Sequence, residues 1–192
     1  MPSKIGIILA STREGRMGER VATWAHKHFA NQPEVEVEIL DLKEYPLPFY
    51  EYNELPSALP NGYKEEVATR WHNKVQEMDG FVLVTPEYNH GYSGVLKNAL
   101  DYISGPWTDK PVLIVSYSSG PIGGARVTEQ LRAVLGYMRM VVLADATHIG
   151  RVAESISEAG EVTSGPYDAM LDKQIAQLIV WTKLLQQKRA QA

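Results

Sequence analysis

Cysteine is absent from the 192 residues of this chain. Its absence excludes disulfide bonds, thiol catalysis and any metal site that needs a thiolate ligand. It also fits a reducing compartment, where disulfides do not persist. The sequence therefore predicts a domain that depends on a buried core rather than on cross-links.

Long apolar runs and a large charge excess are also missing. No apolar run approaches the ~18 residues that a membrane-spanning helix needs. The N-terminus leads directly into a predicted strand, without the pattern of a secretory signal. The formal net charge is only −4, which argues against a general nucleic-acid binder or a polybasic membrane-surface protein. We therefore expect a cytoplasmic protein without a nucleic-acid or membrane partner.

What the chain does contain is an alternation of short apolar runs with segments of helical periodicity. Several of the runs are apolar at consecutive positions, as in strands that are covered on both faces. The five predicted strands are Lys4–Leu9, Val35–Asp41, Phe81–Thr85, Val112–Tyr117 and Val141–Ala144. The five helical faces include Trp24, Trp71, Leu96, Leu131 and Ile175. This alternation predicts right-handed crossovers and a doubly wound parallel α/β sheet.

The chain shows no internal repeat and no shift in composition, so residues 1–192 are predicted to form a single domain. Two segments look irregular. Leu42–Pro60 contains four prolines, and His148–Gly165 is rich in glycine, serine and glutamate. Both are predicted to be surface loops, because each is followed by a helix that needs the same core.

The loop after the first predicted strand reads LASTREGRMGE over residues 9–19. It brings hydroxyls, arginines and glycines to a helix N-terminus, where N–H groups and the helix dipole favour an anion. It has neither the Gly-Lys-Ser/Thr of a P-loop nor a complete G-x-G-x-x-G. A mononucleotide monophosphate therefore fits it better than a triphosphate or a dinucleotide pyrophosphate. The alternative interpretation is an ordinary polar loop with two solvated arginines.

Polar, glycine-containing loops also follow the third and fourth predicted strands, at the sheet edge where ligands of such folds bind. In Pro86–Gly91 and the residues after it, Tyr88 and Tyr92 offer flat surfaces for an aromatic ring, and Asn89 offers hydrogen bonds to ring atoms. The alternative there is an ordinary turn before a helix that Ser93 caps. Ser116–Gly124 would line the far side of the ring.

Four segments together resemble the NAD(P)H-dependent FMN reductases, a family that includes quinone, azo-dye and chromate reductases. They are Ser11–Arg16, Pro86–Asn89, Leu96–Tyr102 and Gly120–Gly124. The resemblance implies a flavodoxin-like three-layer α/β sandwich, with a five-stranded parallel sheet in the order 2-1-3-4-5. It also implies FMN as the cofactor and NADPH or NADH as the cosubstrate. Ser93-Gly94 stands where the family usually has Pro-Gly.

The resemblance also assigns residues to the cofactor. It implies that the first loop holds the FMN phosphate through Ser11, Arg13, Arg16, Met17 and Gly18. The second loop would run along the isoalloxazine through Pro86, Glu87, Tyr88 and Asn89. The third would close the site through Ser116, Ser118 and Gly120.

No side chain is assigned a catalytic role. Glu87 and His90 are the titratable groups expected nearby, and neither has a partner that the sequence reveals. No metal site is expected, because His26 and His28, two residues apart, point to different sides of their helix.

The function favoured by these expectations is an FMN-dependent NAD(P)H oxidoreductase. It would pass hydride from NAD(P)H through bound FMN to free flavin, a quinone or another small acceptor. An FMN-binding electron carrier and a ligand-sensing module without turnover remain alternatives. The apolar Tyr92–Tyr102 helix and Trp107, together with the association typical of the family, predict a homodimer or a dimer of dimers.

Overall fold

The computed structural model describes residues 2–59 and 62–191. Within them, parallel strands form a sheet in the order β2-β1-β3-β4-β5, and a further strand, β6, also pairs with β4. The strands are β1 (Ser3–Leu9), β2 (Val35–Asp41), β3 (Gly80–Pro86), β4 (Pro111–Tyr117), β5 (Val141–Val142) and β6 (Thr147–Ile149). The predicted flavodoxin-like order is confirmed.

The edge beside β4 differs from the sequence prediction of one strand over residues 141–144. β5 pairs with the start of β4, and β6 pairs with its end. The chain leaves the ladder after Leu143, whose N–H still donates to the carbonyl of Val112. The Arg132 guanidinium donates hydrogen bonds to the carbonyls of Leu143 (2.8 Å) and Ala144 (2.7 Å). The last two residues of β6 lie in the predicted loop His148–Gly165. The strand was not predicted, because three residues are too short to show a strand period.

The helices cover both faces of the sheet. They are α1 (Gly18–Lys27), α2 (Glu66–Glu77), α3 (Gly94–Asp101), α4 (Ala125–Tyr137), α5 (Val152–Ser155) and α6 (Tyr167–Ala190). The predicted loop Leu42–Pro60 contains two short 3-10 turns, Leu42–Glu44 and Pro56–Ala58, and its last residue lies outside the described part of the chain. Within residues 2–59 and 62–191, none of the helices combines the length and hydropathy needed to cross a bilayer.

Alternation along the strands divides the core into two layers. Ile5, Ile7 and Leu9 face α1 and α6 in one cluster, whereas Ile8 faces α2, α3 and α4 in the other. Each of the five predicted helices contributes the apolar face expected from its periodicity, because burying that face removes most of its apolar area from water. The short helix α5 was not expected, because it lies in the predicted loop His148–Gly165. The result is a helix–sheet–helix arrangement whose loops at the carboxyl ends of the strands remain accessible.

Trp107 and the apolar face of α3 were expected to contribute to a subunit contact. The structure instead buries Trp107 in its own chain, with its ring centroid 5.2 Å from that of Phe81 and 6.1 Å from that of Trp71. Leu96 and Leu100 of α3 are buried in the same cluster. The burial of these side chains is thus accounted for by the core of one protomer, whereas Val95 of α3 remains exposed.

Candidate functional site

The three predicted loops meet at the carboxyl edge of the sheet around a polar pocket of about 280 Å³. The residues lining this polar pocket are Arg13, Glu14, Gly15, Arg16, Met17, Pro86, Glu87, Tyr88, Tyr117, Ser118, Ser119 and Val152. Residues from the ends of β1, β3 and β4 thus come together, as expected for a site at a topological switch point.

The Arg16 side chain is buried and already paired. Its guanidinium donates to both carboxylate oxygens of Asp41 at the end of β2, to the carbonyl of Ser11 and to the carboxylate of Glu19. The hydrogen bond from Arg16 to Asp41 raises the pKa of Arg16, although burial opposes it. Arg16 therefore ties the first loop to β2 with its charge largely neutralised.

Arg13 differs from Arg16 in both exposure and pairing. Its side chain is exposed, and its guanidinium carbon lies 5.5 Å from the centre of the Tyr88 ring. None of the salt bridges formed within residues 2–59 and 62–191 involves it. The pocket therefore has one cation, Arg13, whose charge is available to a ligand.

The beginning of α1 supplies backbone donors to the same place. Met17 occupies the N-cap position, and no side chain in the described part of the chain caps the helix there. The first-turn N–H groups of a helix lack partners within the helix, and together with the dipole they favour an anion. Gly18 lets this turn lie close to β4, because a Cβ there would be 2.6 Å from the Tyr117 hydroxyl.

Tyr117 is 4% exposed, and its hydroxyl has no hydrogen-bond partner among residues 2–59 and 62–191. Burial raises the pKa of Tyr117 well above its ordinary value, so the hydroxyl stays protonated near neutral pH. A buried hydroxyl without a partner is costly and is normally satisfied by a ligand or water. Together with Arg13 and the uncapped helix, it makes the pocket suitable for a phosphate group.

Ser11, predicted to contact the phosphate, does not line the polar pocket. Its buried Oγ lies 2.8 Å from the Tyr88 hydroxyl and holds that ring at the pocket wall. Ser93 has a similar linking role. It caps α3 by accepting the N–H of Leu96 (3.2 Å), as in the alternative interpretation of this loop, and its hydroxyl donates to the carbonyl of Ala10 (2.6 Å). The first two loops are therefore fixed to each other.

Asn89 and His90 form the centre of a two-residue turn. The N–H of Tyr88 donates to the carbonyl of Gly91 and the N–H of Gly91 to the carbonyl of Tyr88, both at 2.9 Å. Asn89 and His90 have φ of 50° and 68°, the left-handed pair that a two-residue hairpin turn needs. Both are exposed, and Asn89 does not line the polar pocket.

Glu87 has partners that sequence reasoning missed. Its carboxylate accepts hydrogen bonds from the backbone N–H groups of Arg126 (3.1 Å) and Val127 (3.3 Å) and from the Arg126 guanidinium (2.9 Å). Burial alone would raise the pKa of Glu87, but these hydrogen bonds outweigh it and lower the pKa. Glu87 thus caps α4, whose N-terminus follows Gly124 and has no local capping side chain.

The third loop packs on β6 and on His148, a residue that the sequence analysis does not assign to the site. Ser116 is buried and does not line the polar pocket. Its Oγ donates to the carbonyl of Gly123 (2.9 Å) and lies 2.8 Å from Nδ1 of His148. Burial and the nearby Arg132 lower the pKa of His148. Gly120 lies outside the pocket lining and accepts hydrogen bonds through its carbonyl from Ser118 Oγ and the N–H of Arg151.

A second cavity lies on the other side of the first loop, between the Leu42–Phe49 segment and α3. This apolar groove has a volume of about 610 Å³. It is lined by Thr12, Leu42, Lys43, Tyr45, Pro46, Leu47, Pro48, Phe49, Gly94, Val95, Asn98 and Ala99. The Asn98 amide donates to the carbonyls of Leu47 (3.3 Å) and Pro48 (2.8 Å) and fixes the segment to α3. The sequence analysis predicts only a surface loop here, and the apolar residues between the prolines of this segment are the feature that could have indicated the groove.

The fold defines a flavodoxin-like α/β protein with a candidate phosphate pocket at its switch point. More specifically, the chain belongs to the NADPH-dependent FMN reductase family, whose sequence model matches residues 3–154. Members of this family are oxidoreductases that use FMN and NAD(P)H.

Individual relatives agree with this family. The chain is 39% identical over 139 residues to an NAD(P)H-dependent FMN reductase of Schizosaccharomyces pombe, covering 72% of this chain and 68% of that protein. It is 36% identical over 119 residues to a quinone reductase of Escherichia coli, covering 59% and 62%. A flavoenzyme NAD(P)H:(acceptor) oxidoreductase of Paracoccus denitrificans has the same fold, with a TM-score of 0.78 at 22% identity, covering 94% and 97%.

Proposed function

We propose that this protein is an FMN-dependent NAD(P)H oxidoreductase that passes hydride from NAD(P)H, by way of bound FMN, to a quinone, free flavin or another small acceptor. The observation that carries the proposal is the adjacency of the polar pocket and the apolar groove. Thr12 lines the groove and Arg13 lines the pocket, so neighbouring residues of one loop border both. A phosphate with an attached aromatic ring system needs such a pair of surfaces.

The polar pocket would hold the phosphate end. Arg13 would supply a charge-assisted hydrogen bond, and the first-turn N–H groups of α1 would supply neutral ones. The Tyr117 hydroxyl would gain the acceptor that it lacks within the described residues. Arg16 would act indirectly on the phosphate, because its hydrogen bonds to Asp41 and Ser11 position the loop that carries these donors.

The ring end would lie toward Tyr88 and the apolar groove. Ser11 and Arg13 restrain the Tyr88 ring from two sides, so the ring surface is positioned before a ligand binds. The groove walls would offer apolar contact to a planar donor or acceptor. When bound, FMN supplies the redox chemistry, and the protein's contribution is binding and orientation, which can account for several kcal/mol of a transfer barrier.

The comparisons support quinones as one acceptor class, since relatives of this chain include a quinone reductase and a 2-hydroxy-1,4-benzoquinone reductase. A cytoplasmic location and a homodimer or dimer of dimers complete the proposal. The first is supported by the cysteine-free sequence and the second by the association typical of the family.

Anaerobic reduction tests the function directly. The FMN-loaded protein is mixed with NADPH or NADH, and the flavin absorbance is followed before and after a benzoquinone is added. We expect bleaching by the nicotinamide and recovery on adding the quinone. Binding of FMN without bleaching would favour the electron carrier or the sensor instead.

A further inference from the structure

The apolar groove contains a single charge. Of the described residues that line it, only Lys43 has a side chain that is charged near neutral pH. Tyr45 also lines the groove, but burial raises the pKa of Tyr45, so its hydroxyl stays neutral. The other polar side chains of the lining, Thr12 and Asn98, are uncharged. The groove thus combines apolar walls with one positive charge.

The Lys43 charge is not neutralised within the described part of the protein. The Lys43 side chain is exposed, and none of the salt bridges between described residues involves it. The backbone N–H of Lys43 donates to the Asp41 carboxylate (2.9 Å), but that carboxylate is already paired with the Arg16 guanidinium. The Lys43 ammonium group is therefore available to a ligand.

The acidic residues closest in the chain to the groove lining do not oppose this charge. Glu44 follows Lys43 directly, but it does not line the groove. Asp101, at the end of α3, is paired with Lys97 (2.5 Å). Within the described lining, a negatively charged ligand would therefore meet one cation and no carboxylate.

The walls of the groove suit a planar ligand. The Tyr45 ring is packed against Trp71, with the ring centroids 5.0 Å apart, so one aromatic wall is held in place. Phe49, which is 80% exposed, supplies a second ring. The volume of about 610 Å³ lies within the range of small-molecule sites. In such sites apolar walls supply contact area, and a few polar groups fix the ligand's orientation.

We propose that the apolar groove prefers planar acceptors that carry a negative charge, such as ring-hydroxylated quinones, and that Lys43 sets this preference. The hydroxyl group of such a quinone is a vinylogous carboxylic acid and is ionised near neutral pH. Its oxygen would accept a charge-assisted hydrogen bond from Lys43 Nζ while the ring contacts the walls. This inference rests on the proposed function, because it specifies the acceptor class of the same site.

Isothermal titration of the oxidised, FMN-loaded protein without NAD(P)H tests the preference apart from turnover. One ligand is 2-hydroxy-1,4-naphthoquinone, an anion near neutral pH. The other is its methyl ether, 2-methoxy-1,4-naphthoquinone, which has the same ring system and no charge. Neither can add to a thiol of the protein, because the chain has no cysteine.

We expect the wild-type protein to bind the hydroxy compound about tenfold more tightly, as a hydrogen bond to a charged group allows. This preference should decrease with added salt, because charges at exposed sites are screened. Equal affinity for the two compounds, or no binding of either, would overturn the proposal.

Lys43→Met tests the assignment to Lys43, because it removes the charge and keeps most of the side-chain length. The preference should fall below about twofold in Lys43→Met, and it should persist in the charge-conserving variant Lys43→Arg. Lys183→Met is the matched control, since Lys183 lies on α6, which packs on the other face of the sheet. A preference that survives Lys43→Met, or that Lys183→Met reduces equally, would contradict the proposal.

Two further readouts separate this inference from its alternatives. If the titration shows the preference but NADPH does not bleach the flavin, the proposed function fails and the groove specificity stands. Bleaching and quinone reduction without the preference would overturn only the role of Lys43. If Lys43→Met raises KM for NADPH and leaves the preference unchanged, Lys43 contacts a phosphate of the cosubstrate instead, and the proposal is wrong.

Discussion

The polar pocket and the apolar groove lie on either side of one loop, yet they are built in different ways. The pocket depends on charge. The Arg16 guanidinium is paired with the Asp41 carboxylate inside the protein, whereas the Arg13 guanidinium remains available to a ligand. The groove depends on shape, which the Asn98 amide maintains through two carbonyls of the Leu42–Phe49 segment. Substitutions in the pocket should therefore act through electrostatics, whereas those of apolar residues in the groove should act through lost contact area.

The largest effect is expected where a buried charge loses its partner. Asp41→Ala leaves the Arg16 guanidinium, whose side chain is 4% exposed, without its main acceptor. Breaking such a pair costs about 3 kcal/mol or more. Urea unfolding at neutral pH should show this loss in the free energy of unfolding.

Lys97→Ala provides the contrast, because its ion pair with Asp101 is an exposed i,i+4 pair on α3. Such pairs contribute about 0.3–0.5 kcal/mol. Equal losses for Asp41→Ala and Lys97→Ala would show that Arg16 is solvated in solution and that the two arginines of the first loop are equivalent.

The next largest effect is expected on FMN affinity, when the unpaired Arg13 is replaced. Arg13→Ala should weaken FMN binding about ten- to a hundredfold, since a hydrogen bond to a charged group contributes about 1.5–3 kcal/mol. Riboflavin, which lacks the phosphate, should bind almost unchanged. Isothermal titration with both ligands measures the difference.

Arg20→Ala is the matched control for Arg13→Ala. Arg20 lies on α1 and pairs with Glu158 outside the polar pocket. The Arg20→Ala substitution should leave the affinities for FMN and for riboflavin nearly unchanged. If Arg13→Ala weakens FMN and riboflavin by the same factor, the pocket does not hold the phosphate.

Glu87→Gln should have a smaller and pH-dependent effect. The pKa of Glu87 is lower in the folded protein than its ordinary value of 4.5, so the ionised carboxylate stabilises the fold above that value. At neutral pH the variant should lose about 1 kcal/mol, the typical contribution of a helix cap. The difference from wild type should shrink as the pH falls below 4.5 through the folded-state pKa.

Urea unfolding of both proteins across this pH range measures the effect. Anaerobic stopped-flow reduction of FMN-loaded Glu87→Gln by NADPH gives a second readout. Because Glu87 is assigned to capping α4, flavin reduction should slow and not disappear. Complete loss of reduction with FMN still bound would give Glu87 a direct chemical role.

The smallest effect is expected in the groove. Phe49 is 80% exposed, and a planar acceptor in the groove would cover only part of its ring. Phe49→Ala should therefore raise KM for an apolar quinone by about threefold to tenfold, corresponding to about 1 kcal/mol of lost apolar burial. Turnover at saturation should stay the same.

Leu55→Ala tests whether the Phe49 effect is local, because Leu55 is 71% exposed and does not line the groove. Its KM should equal that of the wild type. If both variants raise KM equally, or if neither does, the acceptor does not use the groove.

The sequence by itself determined the layered fold and the edge where the site lies. Strand and helix periods are local properties, and burial of their apolar faces leaves few ways to arrange five βα units. The three polar loops follow from that order, because the ends of parallel strands meet at one edge. β6 was missed because its three residues carry no measurable period.

Only the tertiary structure decided what each residue of the site does. Arg13 and Arg16 look alike in the sequence. The position of Asp41 at the end of β2 determines that Arg16 is paired and that Arg13 is available to a ligand. Glu87 became a cap of α4 because β3 brings it to a helix N-terminus that starts after glycine. Such roles depend on contacts between residues far apart in the chain, and no local pattern encodes which distant partner a side chain will meet.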